Sequence, residues 1–302
     1  MGQILITGAT GFVGRRLVTK LLSDGHSIRA LVRNHDDALA AQGVALRLGG
    51  VTAIDAELVD GCEAIVHVAA SFAADLDEGR AVNRDATGAL ATLAHRHNAH
   101  YVLLSTCAVY NNDLAPGPVI DEDAPRRDLD SMGGPTGSSS PVYGFTKAEG
   151  EILVEQARDA GLTAAILRPS SVLGIGPTST WGTKIPDRLR GGEPSGRSPE
   201  ATFGWLHVDD LVDATVTALA RNTNGTANLV SGHEHYGAYL DAVIAAVPGA
   251  IDVDVITPDI YDRAWTGRYA QQRAIDLLGW VPRYSFTDAM TEIQNDLQRR
   301  WA

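Results

Sequence analysis

Residues 3–14 read Gln3-Ile4-Leu5-Ile6-Thr7-Gly8-Ala9-Thr10-Gly11-Phe12-Val13-Gly14. Ile4, Leu5 and Ile6 form an apolar run too short for a helix and suited to a strand buried on both faces. Gly8, Gly11 and Gly14 follow at intervals of three, and Val13, Leu17, Val18, Leu21 and Leu22 then repeat at helical spacing. The glycines therefore sit where a strand becomes a helix. There, backbone N–H groups and the positive end of the helix dipole converge on one spot suited to a pyrophosphate. Gly8 allows a tight turn, Gly11 lets phosphates approach the backbone, and Gly14 lets the helix pack closely.

The spacing is G-x-x-G-x-x-G rather than the G-x-G-x-x-G of the ordinary dinucleotide fingerprint. With Thr7 before it and Phe12-Val13 inside it, the stretch resembles the extended short-chain dehydrogenase/reductase superfamily. The resemblance implies an α/β fold: a doubly wound parallel (Rossmann) sheet with a smaller substrate lobe. Residues 1–173 are expected to form the NAD(P)-binding domain, with 205–230 returning to it. Residues 174–204 and 231–302 are expected to form the lobe.

Composition agrees with a folded α/β chain. The 302 residues are 44% hydrophobic and 21% charged, as in globular proteins. The formal net charge of −12 argues against nucleic acid or an anionic membrane as partner. The two cysteines, Cys62 and Cys107, make no disulfide framework and suggest a reducing compartment. No signal peptide or membrane span is visible, so the cytoplasm is expected.

A second strand, Ser27–Val32, ends on Arg33-Asn34. In a βαβ nucleotide site this strand end meets the ribose 2′ position. Arg33 suits a 2′-phosphate, so NADP is expected, with NAD as the alternative because Asp36 and Asp37 lie nearby. After the third strand, Val44–Leu48, the superfamily often carries an Asp for the adenine amine. Here Gly49-Gly50-Val51 stands instead, leaving only backbone contacts to the adenine, with Val51 as the candidate. A helix is expected over Ala53–Val59. The strand Ala64–Val68 runs into Ala69-Ala70, whose small side chains let a cofactor ribose lie against the backbone. His67 reads as a core histidine. Asn83 either caps the helix Ala86–His97 or, as the resemblance implies, supports the cofactor and active-site network. His95, His97 and His100 read as surface histidines, since i and i+2 point apart on a helix; no metal site is expected.

The strand Tyr101–Ser105 ends in Ser105-Thr106-Cys107-Ala108, hydroxyls at the crevice end of a parallel strand. Residues 111–141 are rich in Pro, Gly, Ser and Asp and read as a long loop, a lid or substrate wall whose tip at Ser138-Ser139-Ser140 is mobile. Tyr143 and Lys147 then lie four apart on one helix face. Together with the glycine turn and Thr106, this pair carries the resemblance over at least residues 3–172. It implies that Tyr143 exchanges a proton with the substrate oxygen and that Lys147 acidifies the phenol and bonds the cofactor ribose. Thr106 then orients the substrate. By the same resemblance, Pro169 and Val172 of Arg168-Pro169-Ser170-Ser171-Val172 lie beside the nicotinamide.

Residues 174–204 carry Trp181, Lys184, Arg188, Arg190 and Arg197, either a solvated basic loop or a substrate-anion site. Asp209-Asp210, at the start of the helix Leu211–Arg221, read as structural acids at a helix N-terminus, and His207 before them as structural too.

Reductases, nucleotide-sugar epimerases and dehydratases share this machinery. Dehydratases carry an Asp-Glu pair after the threonine, where this chain has Cys107-Ala108. Arg33 leans towards an NADP(H)-dependent reductase of a small ketone or aldehyde, with wording closest to the dihydroflavonol-reductase-like branch. The alternative is an NAD-dependent nucleotide-sugar epimerase, and a third class is a non-catalytic NADP sensor. The resemblance also implies a homodimer through the helices 86–97 and 143–160.

Overall fold

The computed structural model describes residues 2–111, 118–130, 141–193, 197–251 and 265–302. The strands, in chain order, are β1 (Gln3–Thr7), β2 (Ser27–Val32), β3 (Ala45–Leu48), β4 (Cys62–His67), β5 (His100–Leu104), β6 (Val119–Ile120), β7 (Ala164–Pro169), β8 (Ser171–Leu173), β9 (Thr202–His207), β10 (Gly225–Leu229), β11 (Gly232–His235) and β12 (Arg268–Tyr269). The helices are α1 (Phe12–Ser23), α2 (Asp37–Ala41), α3 (Leu76–Arg80), α4 (Ala86–Arg96), α5 (Pro141–Asp159), α6 (Ile185–Arg190), α7 (Val208–Ala220), α8 (Tyr236–Ala246), α9 (Gln272–Leu278) and α10 (Phe286–Trp301).

Seven strands form one parallel sheet in the order β3-β2-β1-β4-β5-β7-β10. The order reverses between β1 and β4, so the crevice for a ligand opens at their carboxyl ends. The period of two in each strand divides the core. Ile4 and Ile6 of β1, Val102 of β5 and Leu167 of β7 face Leu17, Leu21, Leu211 and Ala274 of α1, α7 and α9. Leu5, Tyr101, Leu103 and Ile166 face Leu90, Ala94 and Val154 of α4 and α5. Burying each such large side chain contributes roughly 1.5–3 kcal/mol. Both faces are covered, which is why the central strands read as unbroken apolar runs.

A second core lies over β8, β9 and β11, where Phe203, Trp205, Tyr236, Tyr239, Met290 and Ile293 pack together. The chain crosses between the two cores more often than the expected boundaries allow. Trp205–His207 belongs to the three-stranded sheet, and so does β8, before residue 174. Conversely, α9 and Trp280 pack on the main sheet. The helix expected over Ala53–Val59 is one 3₁₀ turn, Ala56–Leu58, capped by Asp55, because so short a segment does not repay helix nucleation. α7 begins at Val208, so Asp209 and Asp210 occupy its first turn under a His207 cap. Most of the segment 111–141, with Ser138-Ser139-Ser140, lies outside the described residues. Among those described, no helix is long and apolar enough to cross a membrane.

Candidate active site

The glycine turn meets the crevice as its spacing predicts. Gly8 has a φ of +72°, and a Cβ there would lie 2.7 Å from the backbone nitrogen of Ala69, which follows β4. A side chain at 14 would collide with the Gly8 carbonyl at 2.1 Å, so the close approach is of α1 to its own turn rather than to the sheet. Gly11 heads α1 with no side-chain cap. Its dipole end and backbone donors thus face the crevice, a cradle that fits a pyrophosphate. Val13 packs against the core, and the Phe12 ring lies against Gly174 and Gly176. Ala69 and Ala70 lie where β4 leaves the sheet, with Ala69 N donating to Thr7 Oγ1 at 3.3 Å.

A hydrogen-bonded chain ties this turn to Asn83. The Thr7 hydroxyl lies 2.6 Å from His67 Nδ1, His67 Nε2 lies 3.1 Å from Thr87 Oγ1, and Thr87 donates to the Asn83 carbonyl at 2.8 Å. This order assigns His67 as the neutral Nε2–H tautomer. Burial and then the Lys147 charge hold its pKa down at about 3. Asn83 does not cap α4. It stands in a π-turn (Ala81–Asp85), where its side chain bonds both Ser71 N and O and donates to Thr146 Oγ1 at 3.0 Å. Of its two expected roles, the network role agrees with this geometry, because the helical run already begins upstream of it.

Thr106 follows the crevice end of β5, and its Oγ1 accepts Ala108 N at 3.1 Å. α5 approaches this turn closely: a Cβ on Gly144 would lie 2.2 Å from the Ala108 carbonyl oxygen. That contact brings Tyr143 beside Thr106, whose side chain draws the phenol's pKa down against the effect of burial. Phe72, 61% exposed, stacks on the Tyr143 ring with centroids 4.3 Å apart and planes at 23°. Nothing in the sequence distinguished Phe72 from any loop phenylalanine.

Lys147 lies one turn beyond Tyr143 on α5. Its ammonium, 1% exposed, donates to the Leu104 carbonyl at 2.8 Å. Its charge helps to hold the pKa of His67 down. Burial pushes the Tyr143 phenol up to about 12, against the pull of Thr106. Burial also pushes Lys147 down to about 8, with Glu151 pulling the other way.

Behind the pair, Arg168 of β7 is fully buried and forks onto Glu151 of α5 at 2.7–3.2 Å. It also donates to Tyr110 Oη and the Glu122 carbonyl. Burial would raise the Glu151 carboxyl, but Arg168, Ser105 and Arg126 outweigh it and hold it low. The network pins the Tyr143 helix to the sheet.

Arg33 is exposed and lines a hollow of about 210 Å³ with Thr10, Asn34, His35 and Asp36. A larger hollow of about 400 Å³ beside β3, lined by Leu31, Leu46, Leu48 and Ile54 among others, holds none of the expected site residues. The Val51 side chain packs against the core on that side. Pro169 ends β7 buried, and Val172 of β8 packs on the main core. His100 is buried, its Nε2 2.9 Å from the Thr223 carbonyl oxygen. It is not at the surface, because it opens β5 rather than ending α4.

The basic stretch divides: Lys184, Arg188 and Arg190 are exposed, while Trp181 and Arg197 turn inward. Trp181 packs on Phe203 and Tyr239, and Arg197 lies over Phe203 and Tyr236. Asp209 pairs with Arg16, and Asp210 accepts Arg283 N and Ser231 Oγ, the structural roles expected. Among the described residues no cluster of His, Cys, Asp and Glu is arranged for a metal.

The model of the NAD-dependent epimerase/dehydratase family matches residues 4–231. A ceramide reductase from Caulobacter vibrioides is 32% identical over 60% of this chain, a match taking in 50% of its own length. A 3-diazoavenalumate denitrifying reductase from Streptomyces is 28% identical over 93% of this chain and 96% of its own. The solved structure of MoeE5 in complex with UDP-glucose and NAD superposes with a TM-score of 0.78 at 20% identity, covering both chains fully.

Proposed function

The chain belongs to the NAD-dependent epimerase/dehydratase family of extended short-chain dehydrogenases, and from that premise we propose that it is an NADPH-dependent reductase of a small ketone or aldehyde. Thr106, Tyr143 and Lys147 are its catalytic groups. The carrying observation is Tyr143 buried beneath an open phenylalanine, on the helix whose Gly144 abuts the turn that carries Thr106. The glycine turn would hold the cofactor's pyrophosphate, and the bound dinucleotide would supply the hydride from its nicotinamide ring. Thr106 holds the carbonyl oxygen, and Tyr143 delivers the proton that the oxygen takes up. Burial keeps that proton on the phenol at neutral pH. The ammonium of Lys147 fixes the crevice end of β5 and presents a charge to the cofactor ribose. Phe72 lends the approach an apolar wall.

The preference for NADP rests on Arg33 in its hollow, whose fork suits a 2′-phosphate. A nucleotide-sugar epimerase is the second reading, favoured by the family match. NADPH oxidation against a carbonyl panel tests the proposal. Tyr143→Phe should reduce turnover by roughly 100-fold or more and leave the NADP⁺ dissociation constant unchanged. A protein purified with tightly held NAD and inert towards every carbonyl with NADPH would overturn it in favour of the epimerase.

A further inference from the structure

The hollow at the end of β2 contains a contradiction. Arg33 would welcome a 2′-phosphate, yet Asp36 stands in the same wall. A carboxylate there repels a phosphate and accepts a hydrogen bond from a free 2′-hydroxyl. Asp36 is not a free carboxylate, however. Arg15, on the first turn of α1, reaches it with both ends of its guanidinium, Nη2 to Oδ2 at 2.5 Å and Nη1 to Oδ1 at 3.4 Å. The third donor, Nε, bonds the Thr10 carbonyl at 3.1 Å, and Thr10 also lines the hollow. Asp36 Oδ1 in turn accepts Leu39 N at 3.0 Å. The Asp36 side chain is 15% exposed and that of Arg15 43%.

We propose that Arg15 determines cofactor specificity through Asp36: by engaging that carboxylate it cancels the one negative charge facing the hollow, and so lets Arg33 read a 2′-phosphate. This deepens the NADP reading above and rests on it. Arg15 is a positioning residue in this scheme. Its guanidinium is committed to Asp36 and Thr10, and its effect on the ligand passes through the charge it neutralises. The chemistry is local and reversible. With Arg15 removed, the hollow would present Arg33 and Asp36 as opposed charges, a surface that tolerates a ribose hydroxyl better than a dianion.

The test is a double-mutant cycle on binding rather than turnover. Dissociation constants for NADP⁺ and NAD⁺ are measured by calorimetry on the wild type, Arg15→Gln, Asp36→Asn and the double variant; asparagine keeps the cap on Leu39. Arg15→Gln should weaken NADP⁺ about tenfold and move NAD⁺ less than about twofold. Adding Asp36→Asn should return NADP⁺ to within about threefold of the wild type, and Asp36→Asn alone should tighten NADP⁺. Should Arg15→Gln fold poorly, Asp36→Asn and Arg15→Lys carry the same comparison, the lysine keeping the charge but not the fork. Equal NADP⁺ losses in Arg15→Gln and the double variant, or parallel losses of both nucleotides, would overturn the proposal. Arg33→Gln separates the two layers: a wild type without NADP⁺ preference, unaffected by Arg33→Gln, removes the NADP reading itself. Additive effects of Arg15 and Asp36 remove only the role of Arg15.

Discussion

Replacing Lys147 by methionine should cost the protein its activity and increase its stability. The ammonium sits almost fully buried on the Leu104 carbonyl, and burial lowers its pKa from 10.5 to about 8. At roughly 1.36 kcal/mol per pH unit, that drop corresponds to about 3 kcal/mol of cost for holding the charged form in the fold at pH 7. Methionine fills nearly the same volume without the charge. It leaves the Leu104 oxygen without its donor, a loss of about 1–2 kcal/mol. The net expectation is a gain of about 1–2 kcal/mol, read by urea denaturation. The pH dependence supplies the control. Below pH 8 the wild type bears the full cost. Between about 8 and 10.5 the folded protein has released a proton that the unfolded chain still holds, so wild-type stability rises with pH. The advantage of Lys147→Met should therefore shrink between pH 7 and 9.5. A variant less stable than the wild type by about 2 kcal/mol at pH 7, or an advantage independent of pH, would refute this account of the buried ammonium.

Gly144→Ala places a methyl against the Ala108 carbonyl and should pull Tyr143 off Thr106; turnover should fall roughly tenfold or more, with NADP⁺ affinity retained, as steady-state kinetics and calorimetry would show. The kcat/KM for reduction should lose a limb near pH 8 as Lys147 gives up its proton. No tyrosine limb should appear below about pH 10, because the phenol lies near 12.

What the sequence disclosed, it disclosed through local pattern. The strand-turn-helix of residues 3–14 is set by apolar spacing and three glycines, and the Tyr143–Lys147 pair stood out by helical period together with its place after the glycine turn and Thr106. Asp209 and Asp210 were legible because helix N-termini favour acids wherever they occur. What stayed hidden depends on partners distant in the chain. Arg168 becomes fully buried only because Glu151, on a different element, neutralises it. His100 reads as the tail of a basic helix end until the sheet places it beside Thr223. The grip of Asp36 by Arg15 spans two elements in the same way. The direction of the Lys147 side chain was also invisible, since one helix face offers several neighbours and only tertiary packing selects Leu104.

The state of the Tyr143 phenol bears on the direction of the chemistry. A phenol at about 12 is a poor base at neutral pH, since only a trace of it is ionised, but it is a loaded acid. An alkoxide forming at a carbonyl carbon is far more basic than a phenolate, so proton delivery from Tyr143 runs downhill even from so high a pKa. Removing a proton from an alcohol runs the other way and needs the phenolate first. Epimerisation begins with such a removal; carbonyl reduction begins with delivery. Burial of Tyr143 beneath Phe72 keeps the phenol protonated at neutral pH, the state from which delivery to a carbonyl oxygen starts and in which the reductive reading is to be tested. The same buried phenol that is inert as a base at neutral pH is ready as a proton donor.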